Sequence, residues 1–417
     1  MQDLATVSTG GLVLLGGRAS DLLGRRQVFL TGLLIFTAAS LTSGLAPSPA
    51  ALVVSRAAQG LGASLLTPGA LSIITTYYAG AQRAAGLAAW GAIGAAGSAA
   101  GVLLGGALTT ALGWQSIFFV NVPIGIAAGA LALRMVPRSP ARIRDLRELD
   151  LAGAAVLVAG LVLLVFAIQG TAVAGWGSAR TLVPLLVSFA LLAAFGVQER
   201  RAARPLIPTS TWRLRSLILG AAVMSGATAI MTGTSFLNSL YLQQVLGESA
   251  LSTGLAFLPA TLAIVAAAQL ASRLIAHAGT KPVLLLGLAV IAGGAIFLAQ
   301  MPAHPDYFVN ILPGFLAVAL GLGLTFVSVP ITAMSNVREE IAGLASGLIT
   351  TGHETGAALG VATLSAIASA VAISGSFASG YRAGFWAAAA MAAALALVSL
   401  LAVPGVRPAA GSGVRVH

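Results

Sequence analysis

Few side chains in this sequence can do chemistry, and two small groups of them sit where polar groups are costly. His353 and Glu354 fall near the middle of an apolar run over residues 341–373, where an isolated charge is expensive. Ser346, Thr350 and Glu354 are spaced by four, so on a helix they form one polar stripe. A carboxyl group so placed can take up and release a proton, which makes Glu354, with His353 beside it, a candidate proton carrier. The plainer alternative is a protonated glutamic acid hydrogen-bonded to a neighbouring helix, with His353 held likewise. Arg56 and Gln59 lie three apart in another apolar run, 50–77, and share a helix face. An arginine at mid-helix costs about 2.5–3.5 kcal/mol, which favours a position on a cavity. The alternative is a side chain near the helix end that snorkels to water. Asn238 and Tyr241, with Gln243 and Gln244, are further cavity candidates. His277 and His304 are loop residues with no ligand partner at metal spacing, so no metal site is expected. The sequence has no cysteine, which excludes thiol catalysis and thiolate metal sites. It has no phosphate-binding loop, zinc spacing or nucleophile elbow.

The elements that hold these residues follow from composition. Of 417 residues, 58% are hydrophobic and 8% charged, with mean hydropathy +0.97. A soluble domain carries about 25% charged residues, and a chain with so few could not cover its own surface in water. An all-α polytopic membrane protein is left. About 20 apolar residues cross a bilayer as helix, and thirteen such runs are expected. They lie near 4–17, 27–46, 50–77, 84–110, 115–136, 150–170, 179–198, 216–245, 252–275, 281–300, 307–335, 341–373 and 383–403. The runs are continuously apolar rather than alternating, so helices and not a barrel are expected.

The net charge of +11 would suggest nucleic acid in a soluble chain. Here the basic residues sit in short gaps between apolar runs, and no nucleic-acid partner is expected. Every second gap is basic. One set holds Arg18, Arg25, Arg26, Arg83, Arg134, Arg138, Arg142, Arg144, Arg147, Arg200, Arg201, Arg204, Arg213, Arg215, Arg273, Lys281, Arg338, Arg407 and Arg415; the other holds Arg180 and Arg382. Nineteen against two is a decisive bias, and by the positive-inside rule it places the C-terminus in the cytoplasm. Lys281 is the single lysine among many arginines, a composition that suggests a GC-rich bacterial genome and hence the bacterial inner membrane. The first run has about fourteen residues before Arg18, so the chain is expected to begin partway along a helix, with at least one helix preceding it.

Short matches recur at nearly constant offsets. Gly60-Leu61-Gly62 returns as Gly321-Leu322-Gly323, Pro68 as Pro330, Ala85-Gly86-Leu87-Ala88 as Ala342-Gly343-Leu344-Ala345, and Gly24-Arg25-Arg26 weakly as Gly279-Thr280-Lys281. Matched gaps fall on the same side, so the halves are parallel repeats, an arrangement used by large transporters. The expected organisation is an N-terminal bundle over 1–136, linkers with two inserted helices over 137–215, a C-terminal bundle over 216–403 and a cytoplasmic tail over 404–417.

Several of these segments carry a family resemblance. Gly17-Arg18-Ala19-Ser20-Asp21-Leu22-Leu23-Gly24-Arg25-Arg26 resembles the signature loop between the second and third helices of the major facilitator superfamily. Arg56-Ala57-Ala58-Gln59-Gly60-Leu61-Gly62 resembles its fourth-helix motif. Gly97, Gly101 and Gly105, spaced by four, give one small-residue face for close helix contact and resemble the antiporters' fifth-helix motif. That motif has proline after its central glycine, where this chain has Val102. Leu112-Gly113-Trp114-Gln115-Ser116-Ile117-Phe118-Phe119-Val120-Asn121-Val122-Pro123 is similar to the fourteen-helix drug:proton antiporter subfamily, as are Leu240-Tyr241-Leu242-Gln243-Gln244-Val245-Leu246-Gly247 and Gly343-Leu344-Ala345-Ser346-Gly347-Leu348.

The resemblance implies a proton-driven secondary transporter that exports an amphipathic, drug-like or antibiotic-like compound by alternating access. Its partners would be the small-molecule substrate, protons and the lipid bilayer, with no cofactor beyond the proton motive force and one chain working as a monomer. Gly17, Asp21, Gly24, Arg25 and Arg26 would form the gating loop. An uptake carrier or uniporter on the same fold stays open, since Val102 replaces the antiporter proline, as does an N-terminally truncated, inactive product. A membrane-embedded enzyme would have to work with His353 and Glu354 alone, without nucleophile or metal.

Overall fold

The computed structural model describes residues 24–77, 104–137, 151–175, 177–201, 214–302, 305–337, 342–374 and 376–406, together with the isolated positions 16, 19, 20, 23, 97, 101 and 211. These residues form α1 (Arg25–Gly44), α2 (Pro49–Tyr77), a helical stretch over 104–112, α3 (Ser116–Met135), α4 (Leu151–Ala174), α5 (Ala179–Arg201), α6 (Arg215–Leu240), α7 (Ala250–Ala278), α8 (Thr280–Ala299), α9 (Leu312–Met334), α10 (Ala342–Ser374) and α11 (Phe377–Ala402). Ten helices among the described residues are long and apolar enough to cross a membrane. An eleventh long helix, α2, carries Arg56 and Gln59. The run expected over 4–17 and most of that over 84–110 lie outside the described residues.

Local chemistry sets the helix ends. Ser249 caps α7 by accepting from the Ser252 amide at 3.1 Å, and Asp306 accepts from the amides of Phe308 and Val309 at 2.8 and 3.0 Å. The last span was expected from 383, yet α11 begins at Phe377. The reason is a reciprocal capping box, in which Ser376 and Ser379 satisfy each other's backbone amides and nucleate the helix more than a turn earlier. Arg382 is therefore a helix residue.

The two halves repeat in three dimensions. Gly24 and Gly279 stand at the N-caps of α1 and α8 with φ of 98° and 85°, a conformation that favours glycine. The 255-residue offset between them also relates Gly32 to Gly287. A Cβ on Gly32 would lie 2.9 Å from the Gly62 carbonyl, and on Gly287 it would lie 2.8 Å from that of Gly321. The α1–α2 and α8–α9 pairs thus close on matching glycines. The register pairs Gly62 with Gly321, two residues off the Gly60–Gly321 match that the sequence suggests.

In the second half, α6 packs on α9, α10 and α11, while α8 packs on α9 and α11. The buried centre holds Ile230, Leu237, Leu288, Ile291, Leu298 and Phe385. The inserted helices α4 and α5 pack on each other, and Ser188 of α5 donates to the Gly160 carbonyl at 2.8 Å. Helix α4 also lies along α10, where Val165 meets Ala358 and Ala362.

Where described, the segment at the start of α1 meets the end of α3, and the start of α8 meets the segment after α11. Arg26 donates to the Leu133 carbonyl at 2.8 Å, and Thr280 and Val406 exchange hydrogen bonds of 2.9 and 3.2 Å. Toward the opposite end a described contact joins the halves, where a Cβ on Gly106 would fall 2.7 Å from the Ala250 carbonyl.

Candidate functional site

Three polar groups stand out in this apolar molecule. The first is built on α1, α2 and α3 near the end away from the basic gaps. Gln59 is buried and donates to Ser40 Oγ at 3.1 Å; Asn121 donates to the same oxygen at 3.0 Å, and Ser40 passes its own proton to the Phe118 carbonyl at 3.0 Å. Arg56 Nη1 donates to Gln59 Oε1, and its guanidinium lies over the Phe118 ring, 5.5 Å from the centroid. A cation over an aromatic face is attracted by the ring quadrupole. Arg56 is thus held by protein groups rather than extended freely to water. Only Arg56 of this pair reaches a partly open position; Gln59 lies inside the first bundle and positions the arginine. Separately, Ser43 Oγ donates to Ser55 Oγ at 2.9 Å.

The second group is on α10. Three glycines define one face of that helix: a Cβ on Gly352 would meet the Ala221 carbonyl of α6 at 2.6 Å, while Gly356 and Gly360 touch Ser225 and Ala229 in the same way. Thr232 Oγ1 crosses the seam to the Ala357 carbonyl at 2.8 Å. Leu344, Leu348, Ala358, Leu359 and Ala362 face α4, and His353 meets Phe326 of α9 with ring centroids 6.1 Å apart. At 100° per residue, Ser346, Thr350 and Glu354 lie on a further face, which α11 meets farther along α10 at Leu364, Ala368 and Ala372. His353 Nδ1 is 3.7 Å from Glu354 Oε1, and the two side chains are 41% and 27% exposed. Burial was expected at this mid-run position. The pair is instead partly open, although α11 covers the same face of α10 farther along, at Ala368 and Ala372.

The third group lies on the second half, at the end away from the basic gaps. Asn238 and Tyr241 are each 1% exposed, inside the bundle rather than on an open cavity wall. Tyr241 starts a wide π-turn, Tyr241–Val245, that ends α6. Its ring stands edge-on to Tyr381 of α11, centroids 5.0 Å apart.

Among the gating-loop candidates, Gly17 and Asp21 lie outside the described residues, so the expected Asp21–Arg25 pairing does too. Gly24 and Arg26 make the contacts given above. The glycine face expected to pack closely has no described neighbour. Among the described residues, a Cβ on Gly97, Gly101 or Gly105 would meet no atom within 4 Å, and a tight approach falls on Gly106, about 100° around a helix from Gly105. A four-residue spacing shows that small residues share a face, but not that a neighbour occupies it. Ser40 and Tyr381 were not expected from the sequence, and Phe118 and Asn121 stood only within a family motif, with no role in a polar group. Ser40, Phe118 and Asn121 carry no charge, and Tyr381 falls where a loop was expected. The Ser376–Ser379 cap was the available signal for the latter.

The comparisons with known proteins agree with this architecture. The chain is 39% identical to a cephamycin export protein of Amycolatopsis lactamdurans, over 83% of this chain and 72% of that one. It is 36% identical to a puromycin resistance protein of Streptomyces alboniger, over 84% and 70% of the respective chains. Its fold is similar to the crystal structure of the POT family transporter PepTSo, with TM-score 0.67 and 15% identity over 96% of this chain and 88% of the other. The nucleoside transporter NupG is similar at TM-score 0.61 and 12% identity, over 96% and 90%. The Major Facilitator Superfamily model matches residues 4–361. Parallel halves closed on matched glycines, polar groups confined to a few places in an apolar bundle, and this match together place the chain in the major facilitator superfamily, as a multi-pass membrane transporter.

Proposed function

We propose that this protein exports an amphipathic, antibiotic-like organic compound across the bacterial inner membrane, driven by protons, by alternating access between its two bundles. The observation that carries the reading is its 39% identity to an antibiotic exporter across most of both chains. The polar groups fit the work. Glu354 is partly open on the polar stripe of α10, and it serves as proton carrier with His353 beside it. Arg56, held by Gln59 and Phe118, presents a fixed cation on the first bundle. Asn238 and Tyr241 supply polar atoms within the second. Residues 17–26 latch the cytoplasmic side, while Gly106 against Ala250 closes the outer one. Residues 1–136 and 216–403 are the moving bundles, with 137–215 between them, and a single chain suffices. A proton moved through 100 mV is worth about 2.3 kcal/mol, enough to sustain about a 50-fold substrate gradient.

Everted membrane vesicles containing the protein test this directly. With the respiratory chain energised, they are expected to accumulate puromycin or a cephamycin, and a protonophore should release it. Accumulation that ignores the protonophore removes proton coupling from the reading; accumulation only in right-side-out vesicles makes the protein an uptake carrier.

The basic gaps predict a second result. A fluorescent protein that matures only in the cytoplasm, fused after His417, is expected to glow, and alkaline phosphatase at the same site to stay inactive. The reverse pattern would invert the assigned faces.

A further inference from the structure

A pocket of about 440 Å³ lies where α6 begins and α11 ends, lined by Arg215, Ile218, Leu219, Leu401 and Ala402. Both helices are long and apolar enough to cross a bilayer, so their junction stands at a membrane face. Arg215, Ile218 and Leu219 fall on one side of α6, at spacings of three and four. On α11, Leu397, Leu400 and Leu401 likewise share a side and are 56%, 54% and 75% exposed. Such a leucine face on a spanning helix lies against hydrocarbon, because water would make it costly. The pocket therefore borders lipid, and Arg56, His353 and Glu354 have no part in it. Arg215 is exposed and is the charged member of the lining. Among the described residues no carboxylate pairs with it. From α6 onward, the described charges at this membrane face are Arg215, Arg273 and Lys281, all basic, whereas Glu248 and Asp306 stand at the other face and Glu354 at mid-span. A guanidinium above apolar walls complements a molecule that is anionic at one end and hydrocarbon at the other. Arginine meets phosphate oxygens with paired N–H donors, and basic pockets between membrane helices suit anionic headgroups.

We propose that the junction of α6 and α11 is a binding site for an anionic phospholipid. Arg215 donates to the phosphate, while an acyl chain passes over Ile218, Leu219, Leu401 and Ala402 onto the leucine face of α11. A free phosphate would engage the guanidinium alone and leave four apolar lining residues without a partner. The site goes beyond the export reading, since it depends on neither the exported compound nor the driving force.

The test uses full-length protein, stripped of lipid in a neutral maltoside detergent. It is titrated with phosphatidylglycerol or phosphatidylcholine carrying a nitrobenzoxadiazole label on one acyl chain, and binding is followed by fluorescence anisotropy. Phosphatidylglycerol is expected to bind about fivefold more tightly. Arg215→Gln should lower it to the phosphatidylcholine value. Arg273→Gln, which alters an exposed arginine of the same face outside the pocket, should leave it within about twofold. Ala402→Trp, at an exposed position of the lining, fills the apolar part and should weaken both lipids about fivefold. Equal losses in the two arginine variants would mark a diffuse basic surface and overturn the proposal. So would phosphatidylglycerol binding that Arg215→Gln leaves unchanged. Excess inorganic phosphate at matched ionic strength should not displace the labelled lipid; displacement would make this a free-phosphate site and overturn the lipid assignment. If Arg215→Gln does not yield monodisperse protein, Ala402→Trp decides, and unchanged binding in it overturns the site.

Discussion

Glu354→Gln is expected to abolish transport driven by a proton gradient while leaving energy-independent exchange of substrate within about twofold, since the amide keeps the shape of the acid and removes only the exchangeable proton. The wild-type protein should hold a gradient of about 50-fold per proton at 100 mV; the variant should hold none. The expectation rests on the position of the side chain. The glycine face of α10 is taken by α6, another by α4, and His353 points to Phe326 of α9. Glu354 lies on a further face with Ser346 and Thr350, which α11 meets farther along the helix at Leu364, Ala368 and Ala372, and it is 27% exposed. Proteoliposomes with an imposed pH gradient, compared with counterflow at equal pH, make the measurement. A purely structural carboxylate predicts another result, namely less folded protein but normal coupling in what survives. Unchanged pH dependence in the variant would sink the proton-carrier assignment.

The second large effect concerns folding. Gly360→Leu should prevent α6 and α10 from meeting. A Cβ at residue 360 runs into the Ala229 carbonyl and Cα, and one at 356 into the backbone of Ser225. These obstacles are backbone atoms of a helix, which cannot swing aside as a side chain can. Close helix approach in membranes depends on such small residues. Overpacking commonly costs about 1–3 kcal/mol and more where nothing yields, so the loss should exceed about 3 kcal/mol. Size-exclusion profiles and melting of a fluorescent fusion should show aggregate in place of a monodisperse peak. Gly293→Ala is the control: no described atom lies within 4 Å of its Cβ, and alanine favours helix over glycine by about 1 kcal/mol. A Gly360→Leu protein that elutes and melts like the wild type would refute the seam.

Much of the architecture was legible in the sequence. Hydrocarbon forces every backbone polar group to be satisfied within its own helix, so apolar runs of spanning length predict the helices directly. α2, α3 and α6 through α10 begin and end within a few residues of their expected bounds. The repeat was also visible, because the same turn and the same helix seam require glycine in both halves. Gly24 and Gly279 meet a demand of backbone conformation, and Gly62 and Gly321 a demand for close approach. Arg56 and Gln59 could be paired from spacing alone, and they do bond to each other.

Orientation was not legible. In a soluble protein the polar face of a helix points outward and reveals its rotation. Helices apolar on all sides, as here, carry no such marker. Spacing therefore grouped Gly97, Gly101 and Gly105 correctly on one face but could not say that Gly106, on the next, makes the contact. It could not show that Gln59 turns inward to Ser40, or that Asn238 and Tyr241 are enclosed while Glu354 stays partly open. The start of α11 shows the same limit in smaller form: two serines move Arg382 from an expected loop into a helix. The sequence by itself determined where the described apolar helices run, and that glycines recur at the same turn and seam, since these follow from the local demands of lipid and backbone. Only the tertiary structure decided which side of each helix meets which neighbour, because that choice depends on the shape of a distant partner.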